Sequence, residues 1–490
     1  MISHTLSNVR RYEAEEGDKV SPELRPLFHL TPRIGWMNDP NGFSQYKGKY
    51  HLFYQYYPYG KLWGRMHWGH AVTEDLLHWE YLPAALAPDS FADRDGCFSG
   101  SAITLEDGKH LLMYTGVIQS PDSEKEFFQR QCIAVGDGVD YVKQINNPVI
   151  EAKDLPHDSN GLDFRDPKIW KEQDGTYGCV CVDKDMNDHG RILYFKSNDA
   201  FSWHFHSILL ENDGSVGKMW ECPDVFELDG KKVLLFSPQD MLKKGNYPNG
   251  NSTIAMIGEF NDDGTRFLPE TKQPIDSGID FYATQTLLAE DGRRIMVAWM
   301  QNWDTILYTE KKIPWLGQMI VPRELSVKDN RLYQLPAREI EALRSNPVIM
   351  NDVEAEGVFS LDGIDGRTID LSLDIRQTEL KFQRFEIRLA QNDEYYTSLV
   401  YRPREGTLEF DRTNSGTRRA VLNSRKLTVE DGRESLKLRI IMDRYSVEVF
   451  INDGREAFTN CIFTPLDAQG IGFIVDGKAL LDIEKYQLDQ

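Results

Sequence analysis

Three acids stand at matching places in a repeated pattern. Asp39 lies in WMNDPNGF, Asp166 in DFRDPKIW and Glu221 in MWECPDVF, each nine residues before a turn glycine: Gly48, Gly175 and Gly230. Pro40, Pro167 or Pro223 follows within two residues. Two carboxyl groups flanking a glycosidic bond suffice to hydrolyse it through an oxocarbenium-like transition state. One attacks or stabilises, and the other, kept protonated, donates to the leaving oxygen. A third can hold sugar hydroxyls and stabilise positive charge. Trp36, Phe98, Trp220, Phe281 and Tyr282 crowd the same positions, where aromatic faces suit the apolar faces of sugar rings. Taken singly, each acid has a blander explanation. Residues 38–42 have ordinary turn composition, Arg165 beside Asp166 reads as a surface ion pair, and Glu221 reads as a solvated strand end. Their shared offset is what makes them a set.

The element that must position them is a glycine turn followed by an apolar strand. Five stretches match, at Gly48, Gly108, Gly175, Gly230 and Gly292, spaced by 60, 67, 55 and 62 residues. Glycine supplies the positive φ of a hairpin turn, and the apolar run after it reads as a buried strand. A repeat of this length holds about four short strands, which suits one propeller blade. The expected fold is all-β: a five-bladed β-propeller over residues 28–334, followed by a β-sandwich. Equivalent positions in blades lie on a ring about the axis, so acids 127 and 55 residues apart in sequence converge at one mouth. The remaining two blades place Ser99 and Ala283 there. Clustered carboxyls repel, which raises at least one pKa and marks a functional site.

Around 335–347 the pattern changes. PAREIEALRSNP, with Pro336 at its start and Pro347 after it, reads as a short helical linker. Beyond 348 the strands alternate with period two, as in Leu436, Leu438 and Ile440, and Asn452-Asp453-Gly454 supplies a hairpin turn. One polar face per strand suits a two-sheet sandwich over 348–490. Residues 1–27 form an N-terminal extension with no specific signal beyond helical character.

The formal charge of −21 argues against a nucleic-acid or anionic-membrane partner. The N-terminal stretch lacks a signal-peptide apolar run, and no stretch reaches the length of a membrane span. Six scattered cysteines with no Cys-x-x-Cys pair read as buried free thiols in a reducing compartment, hence a cytoplasmic protein. His67-x-x-His70, near His51 and His78, sits in a strand-like run without acidic or cysteine ligand spacing, so no metal is expected. No phosphate-binding glycine loop and no Gly-x-Ser-x-Gly elbow occurs, and no cofactor is required for this chemistry.

The blocks WMNDPNG at 36–42, FSGSA at 98–102, RDP at 165–167, EC at 221–222 and DFYATQ at 280–285 resemble the signature blocks of glycoside hydrolase family 32. That family holds invertases, sucrose-6-phosphate hydrolases and fructanases. DRYSVEVFINDG at 443–454 is similar to its sandwich domain, so the resemblance runs from about residue 28 to the end. FYATQ departs from the more usual FYAPQ, and 127–141 is a looser match. The resemblance implies a retaining β-fructosidase acting by double displacement on sucrose, sucrose 6-phosphate or short fructo-oligosaccharides. Asp39 would be the nucleophile, Glu221 the general acid and base, and Asp166 the transition-state stabiliser. Asn38, Gln55, Trp63, Phe98, Ser99, Arg165, Tyr282 and Trp303 would line the fructose pocket. A phosphorylated aglycone would need cations at the rim, for which Lys61, Arg65 and Arg130 are candidates. Fructosyl transfer and non-catalytic sugar binding are the alternatives, and a homo-oligomer is an open expectation.

Overall fold

The computed structural model of the chain describes residues 4–489, apart from 122, 124, 125, 307–312, 417–421 and 431. Five antiparallel sheets form the blades, begun by the strands Gly35–Tyr46, Gly96–Thr104, Arg165–Lys171, Trp220–Leu228 and Tyr282–Leu288. Each is joined to its neighbour by a hairpin through a repeat glycine. All five repeat glycines have φ between 77° and 89°, and a Cβ there would meet nothing within 4 Å. The requirement at these turns is therefore conformational, not steric crowding. The ring closes where the short strand Trp315–Leu316, from the fifth-blade region, pairs in parallel with Gly35 and Trp36 of the first.

Side chains lace the blades together near the axis. Gln285 of the fifth blade accepts from the Phe43 backbone N–H (2.7 Å) and donates to the carbonyls of Pro40 (3.3 Å) and Gly100 (3.0 Å). Lys168 of the third lies 3.0 Å from Asp224 of the fourth and donates to the Thr286 carbonyl of the fifth. Such pairing offsets part of the cost of burying polar groups.

After the fifth blade the expected linker helix is a single stretch of 3-10 helix, Arg338–Leu343. The strand Arg344–Phe359 starts directly after it, ahead of residue 348. Pro336 ends the preceding strand, Arg331–Pro336, and does not begin a helix. The sandwich is one continuous ten-stranded sheet folded over on itself. It is continuous because Gly470–Leu488 is 19 residues long: its first part pairs with Arg384–Gln391 and its second with Ile369–Gln377. The two halves close over one apolar core that includes Leu371, Leu438, Phe385 and Phe410. The N-terminal extension contains the helix Leu6–Gly17, which docks on the first blade. There buried Glu13 accepts the Ala84 backbone N–H at 2.7 Å. Among the described residues, no helix is long and apolar enough to cross a membrane.

Candidate active site

The common offset of nine residues has a structural cause. Every inner strand carries a register shift against its neighbour at the equivalent place: 37/40, 98/100, 165/168, 221/224 and 282/285. A β-bulge inserts an unpaired residue and re-aims its side chain. Here the five bulges turn Asp39, Ser99, Asp166, Cys222 and Ala283 out of the ladder at the mouth, and Glu221, still paired with Ser237, stands at the edge of the fourth. Three of these positions hold left-handed backbone in non-glycine residues: Asp166 (φ 60°), Cys222 (φ 49°) and Ala283 (φ 56°). Backbone of this kind is costly and persists where the surroundings over-determine it, commonly at functional sites.

The acids form one hydrogen-bonded set. Asn38 Nδ2 and Ser99 Oγ donate to the two oxygens of Asp39, at 3.1 and 2.9 Å. Trp36 Nε1 holds the Asn38 oxygen at 2.7 Å, which fixes the amide's orientation. The Cys222 backbone N–H donates to Asp166 Oδ2 at 2.9 Å. The Cys222 thiol lies between Asp39 (3.6 Å) and Asp166 (3.7 Å). Glu221 receives Arg165 on Oε1 at 3.1 Å, and Gln239 (2.7 Å) and the Tyr282 hydroxyl (2.6 Å) on Oε2. Arg165 also reaches Asp163 (3.1 Å) and Gln129 (3.2 Å).

One guanidinium therefore serves a crowd of carboxyls. Burial, then the charge of Glu221, pushes the Asp39 carboxyl up to about 6. Burial pushes Asp166 up to about 7 despite Arg165, with Glu221 and Asp39 adding to the rise. Asp39 and Asp166 thus retain protons at a pH where free carboxyls have lost theirs, a perturbation that marks a functional site.

A cavity of about 320 Å³ opens over the set. Asn38, Asp39, Gln55, Trp63, Phe98, Ser99, Arg165, Asp166, Glu221 and Trp303 line it. Tyr282 does not: it is fully buried and braces Glu221 from beneath. Gln129, Asp163 and Gln239 line the cavity too, and the sequence reading had missed them. Asp163 stands only two residues before Arg165. Gln239 directly follows Pro238, the last residue of the second strand of the blade that carries Glu221. Trp220 and Phe281 face away into the core, against Phe236 and Arg323 respectively. A larger cleft of about 1130 Å³ lies where the fourth blade meets the sandwich, but the three converging acids are all in the smaller cavity.

Outside the mouth, His67 packs on His4 and Tyr59, while His70 stacks on Phe53 at 4.0 Å and contacts His51. Among the described residues no group of three or more His, Cys, Asp or Glu is set to hold a metal ion. All six cysteines are free and buried.

The family model described as the glycosyl hydrolases family 32 N-terminal domain matches residues 29–336, and the C-terminal model matches 339–489. The chain belongs to glycoside hydrolase family 32. Among similar family 32 proteins, a sucrose-6-phosphate hydrolase of Zymomonas mobilis is 37% identical, covering 94% of this chain and 92% of its own. A raffinose invertase of Escherichia coli is 36% identical, covering 93% of each. The solved structure of a family 32 β-fructofuranosidase from Bombyx mori superposes with a TM-score of 0.84 at 36% identity, covering 99% of this chain and 98% of that one. A variant of that family 32 enzyme has been solved in complex with sucrose.

Proposed function

We propose that this glycosidase, a retaining, fructose-releasing hydrolase of family 32, works with Asp39 as nucleophile, Glu221 as acid and base, and Asp166 as stabiliser. The observation that carries the assignment is the convergence of three acids on five aligned bulges, with one cation among them. In the first step an Asp39 oxygen forms a bond to the anomeric carbon. The glycosidic C–O bond breaks and the Glu221 proton passes to the leaving oxygen. In the second, a water gives its proton to Glu221 and its oxygen to the anomeric carbon, and Asp39 departs as carboxylate. Asn38 and Ser99 hold Asp39 in line and stabilise its charge. Asp166, fixed by the Cys222 N–H, faces the positive charge that develops on the sugar.

The substrate class is a β-fructoside bound by its terminal fructosyl unit. The small volume of the cavity, about 320 Å³, supports attack on a chain end rather than a chain interior. Trp63, 47% exposed at the edge, suits a stacked aglycone. Lys61, Arg65 and Arg130 are not among the residues that line the cavity; Lys61 donates to the Ile313 carbonyl at 2.9 Å and Arg65 lies 3.5 Å from Asp95. Both have local roles, which favours neutral sucrose and short oligosaccharides over a phosphorylated aglycone. The buried free thiols favour a cytoplasmic setting. Asp39→Ala and Glu221→Ala should abolish fructose release from sucrose, and unchanged release would sink the roles. Comparison of kcat/KM across sucrose, sucrose 6-phosphate, kestose and inulin tests the preference. A tenfold advantage for the phosphate ester would overturn it.

A further inference from the structure

The sandwich reaches the catalytic mouth through one buried ion pair. Arg412, just after the sandwich strand Thr407–Asp411, is fully buried and donates to Asp280 Oδ2 and to the Cys461 carbonyl (2.9 Å). Asp280 is also fully buried, and begins the DFYATQ block of the fifth blade. Its Oδ2 accepts the Cys461 backbone N–H (2.7 Å) and its Oδ1 accepts the Thr305 hydroxyl (2.9 Å). One carboxylate thus ties together the sandwich, the fifth inner strand and the turn at 302–305.

Both of those propeller elements present residues to the site. Two residues after Asp280 comes Tyr282, whose hydroxyl donates to Glu221. Within the turn stands Trp303, which lines the cavity and lies 5.1 Å from Trp299 between ring centres. Asn302 adds a bond to the Ile279 carbonyl at 3.1 Å. The seam is close: Ser277 N–H donates to the Ala457 carbonyl and Asp280 N–H to the Thr459 carbonyl. A Cβ on Gly278 would fall 2.2 Å from the Thr459 backbone. Directly after Tyr282 the chain enters the left-handed bulge at Ala283, a conformation its surroundings must impose.

We propose that Arg412 and Asp280 are positioning residues for the hydrolysis: the sandwich sets the hydroxyl of Tyr282 against Glu221 and the ring of Trp303 against the sugar. A buried ion pair adds little net stability over an apolar replacement, whereas it fixes geometry in several directions at once. This inference rests on the reading of Glu221 as acid and base.

The test is a double-mutant cycle on kcat for sucrose in the intact chain. Arg412→Met is expected to lower kcat by about tenfold, and Tyr282→Phe to lower it on its own. In the Tyr282→Phe background, Arg412→Met should cost less than about threefold, because interacting sites are non-additive. Full additivity, or unchanged kcat in folded Arg412→Met, overturns the proposal, since a merely structural role would not couple to a single phenol. If Arg412→Met does not fold, Thr305→Val, isosteric and with the Arg412–Asp280 pair intact, goes through a cycle with Trp303→Phe read on KM. Non-additivity supports the link and additivity overturns it. Glu221→Gln is measured alongside. Wild-type activity there would sink the acid/base assignment itself, whereas additivity sinks only the link from the sandwich.

Discussion

At the propeller mouth, Asp163, Asp166 and Glu221 share one guanidinium, Arg165, while Asp39 beside them is held by the neutral donors Asn38 and Ser99. At the seam with the sandwich, Asp443 and Glu448 enclose the His29 ring at 2.8 Å on each side, and Glu448 and Asp276 share Arg323. Both clusters are buried, and their titration runs in opposite directions. At the seam, burial alone would raise Asp443 and Glu448. The bonds and charge of His29, with Arg323 for Glu448, outweigh it and hold both carboxyls low. His29 in turn is raised to about 9 by its two partners despite its own burial. Only Asp276 is pushed up there, by burial that Arg323 does not fully offset. At the mouth burial outweighs the one cation, and Asp39 and Asp166 rise. Compensated acids hold two domains together, while the undercompensated pair at the mouth is kept charged at a cost that only its chemistry explains.

Four perturbations break or sharpen this contrast. Glu221→Gln has the largest expected effect, a fall in kcat on sucrose of about 10³–10⁴-fold, since general acid–base catalysis contributes up to that scale. Its thermal midpoint should hardly move. Arg323→Met reverses the pattern. It removes the cation from Asp276 and leaves Glu448 with His29 as its remaining cation, and should cost about 3–5 kcal/mol in urea unfolding, with kcat of the folded fraction retained.

Next in size is the pH dependence of the seam. The folded pKa of His29 lies above its unfolded value near 6.5. Its contribution is therefore fully present below that pH and is lost as pH rises through about 9. Unfolding midpoints should fall across this window, by up to about 3 kcal/mol, and His29→Gln should flatten that part of the curve. The smallest effect is at the nucleophile. As the proposed nucleophile Asp39 would act as carboxylate, so kcat/KM should fall as pH drops through about 6. Ser99→Ala removes a donor to the charged form and should move that limb upward by roughly half a unit or more.

Much of this contrast was legible before the structure, and for one reason. The five glycine turns and the acids nine residues ahead of them are local features, repeated in register. A repeat exposes its own exceptions: where a ring of bulges carries Asp, Asp and Glu, the chemistry stands out. What escaped has no such local marker. Gln129 reaches the cavity from the third strand of its blade and Gln239 from the loop just after a second strand, where a lone glutamine looks like any polar residue. Tyr282 sits in the right block, but whether it faces the sugar or braces Glu221 depends on a bulge whose direction spacing does not encode. The linker failed for a different reason. Pro336 serves equally as a strand end or a helix start, and six residues of 3-10 helix leave no period to read. The network of His29, Arg323 and Asp443 spans more than 400 residues, beyond any local pattern.

The contrast makes a paired claim about one residue, Asp39. An acid whose folded pKa is raised weakens the fold as pH climbs past its unfolded value near 4, because the unfolded chain ionises first. Replacing it by an uncharged isostere removes that penalty. The most direct test is Asp39→Asn, assayed for fructose release from sucrose and for its unfolding midpoint at pH 7. The expected result is a loss of kcat on the order of 10⁴-fold or more, with stability raised by about 1–3 kcal/mol. Fructose release near the wild-type rate, or a folded state weakened by the substitution, would contradict the account.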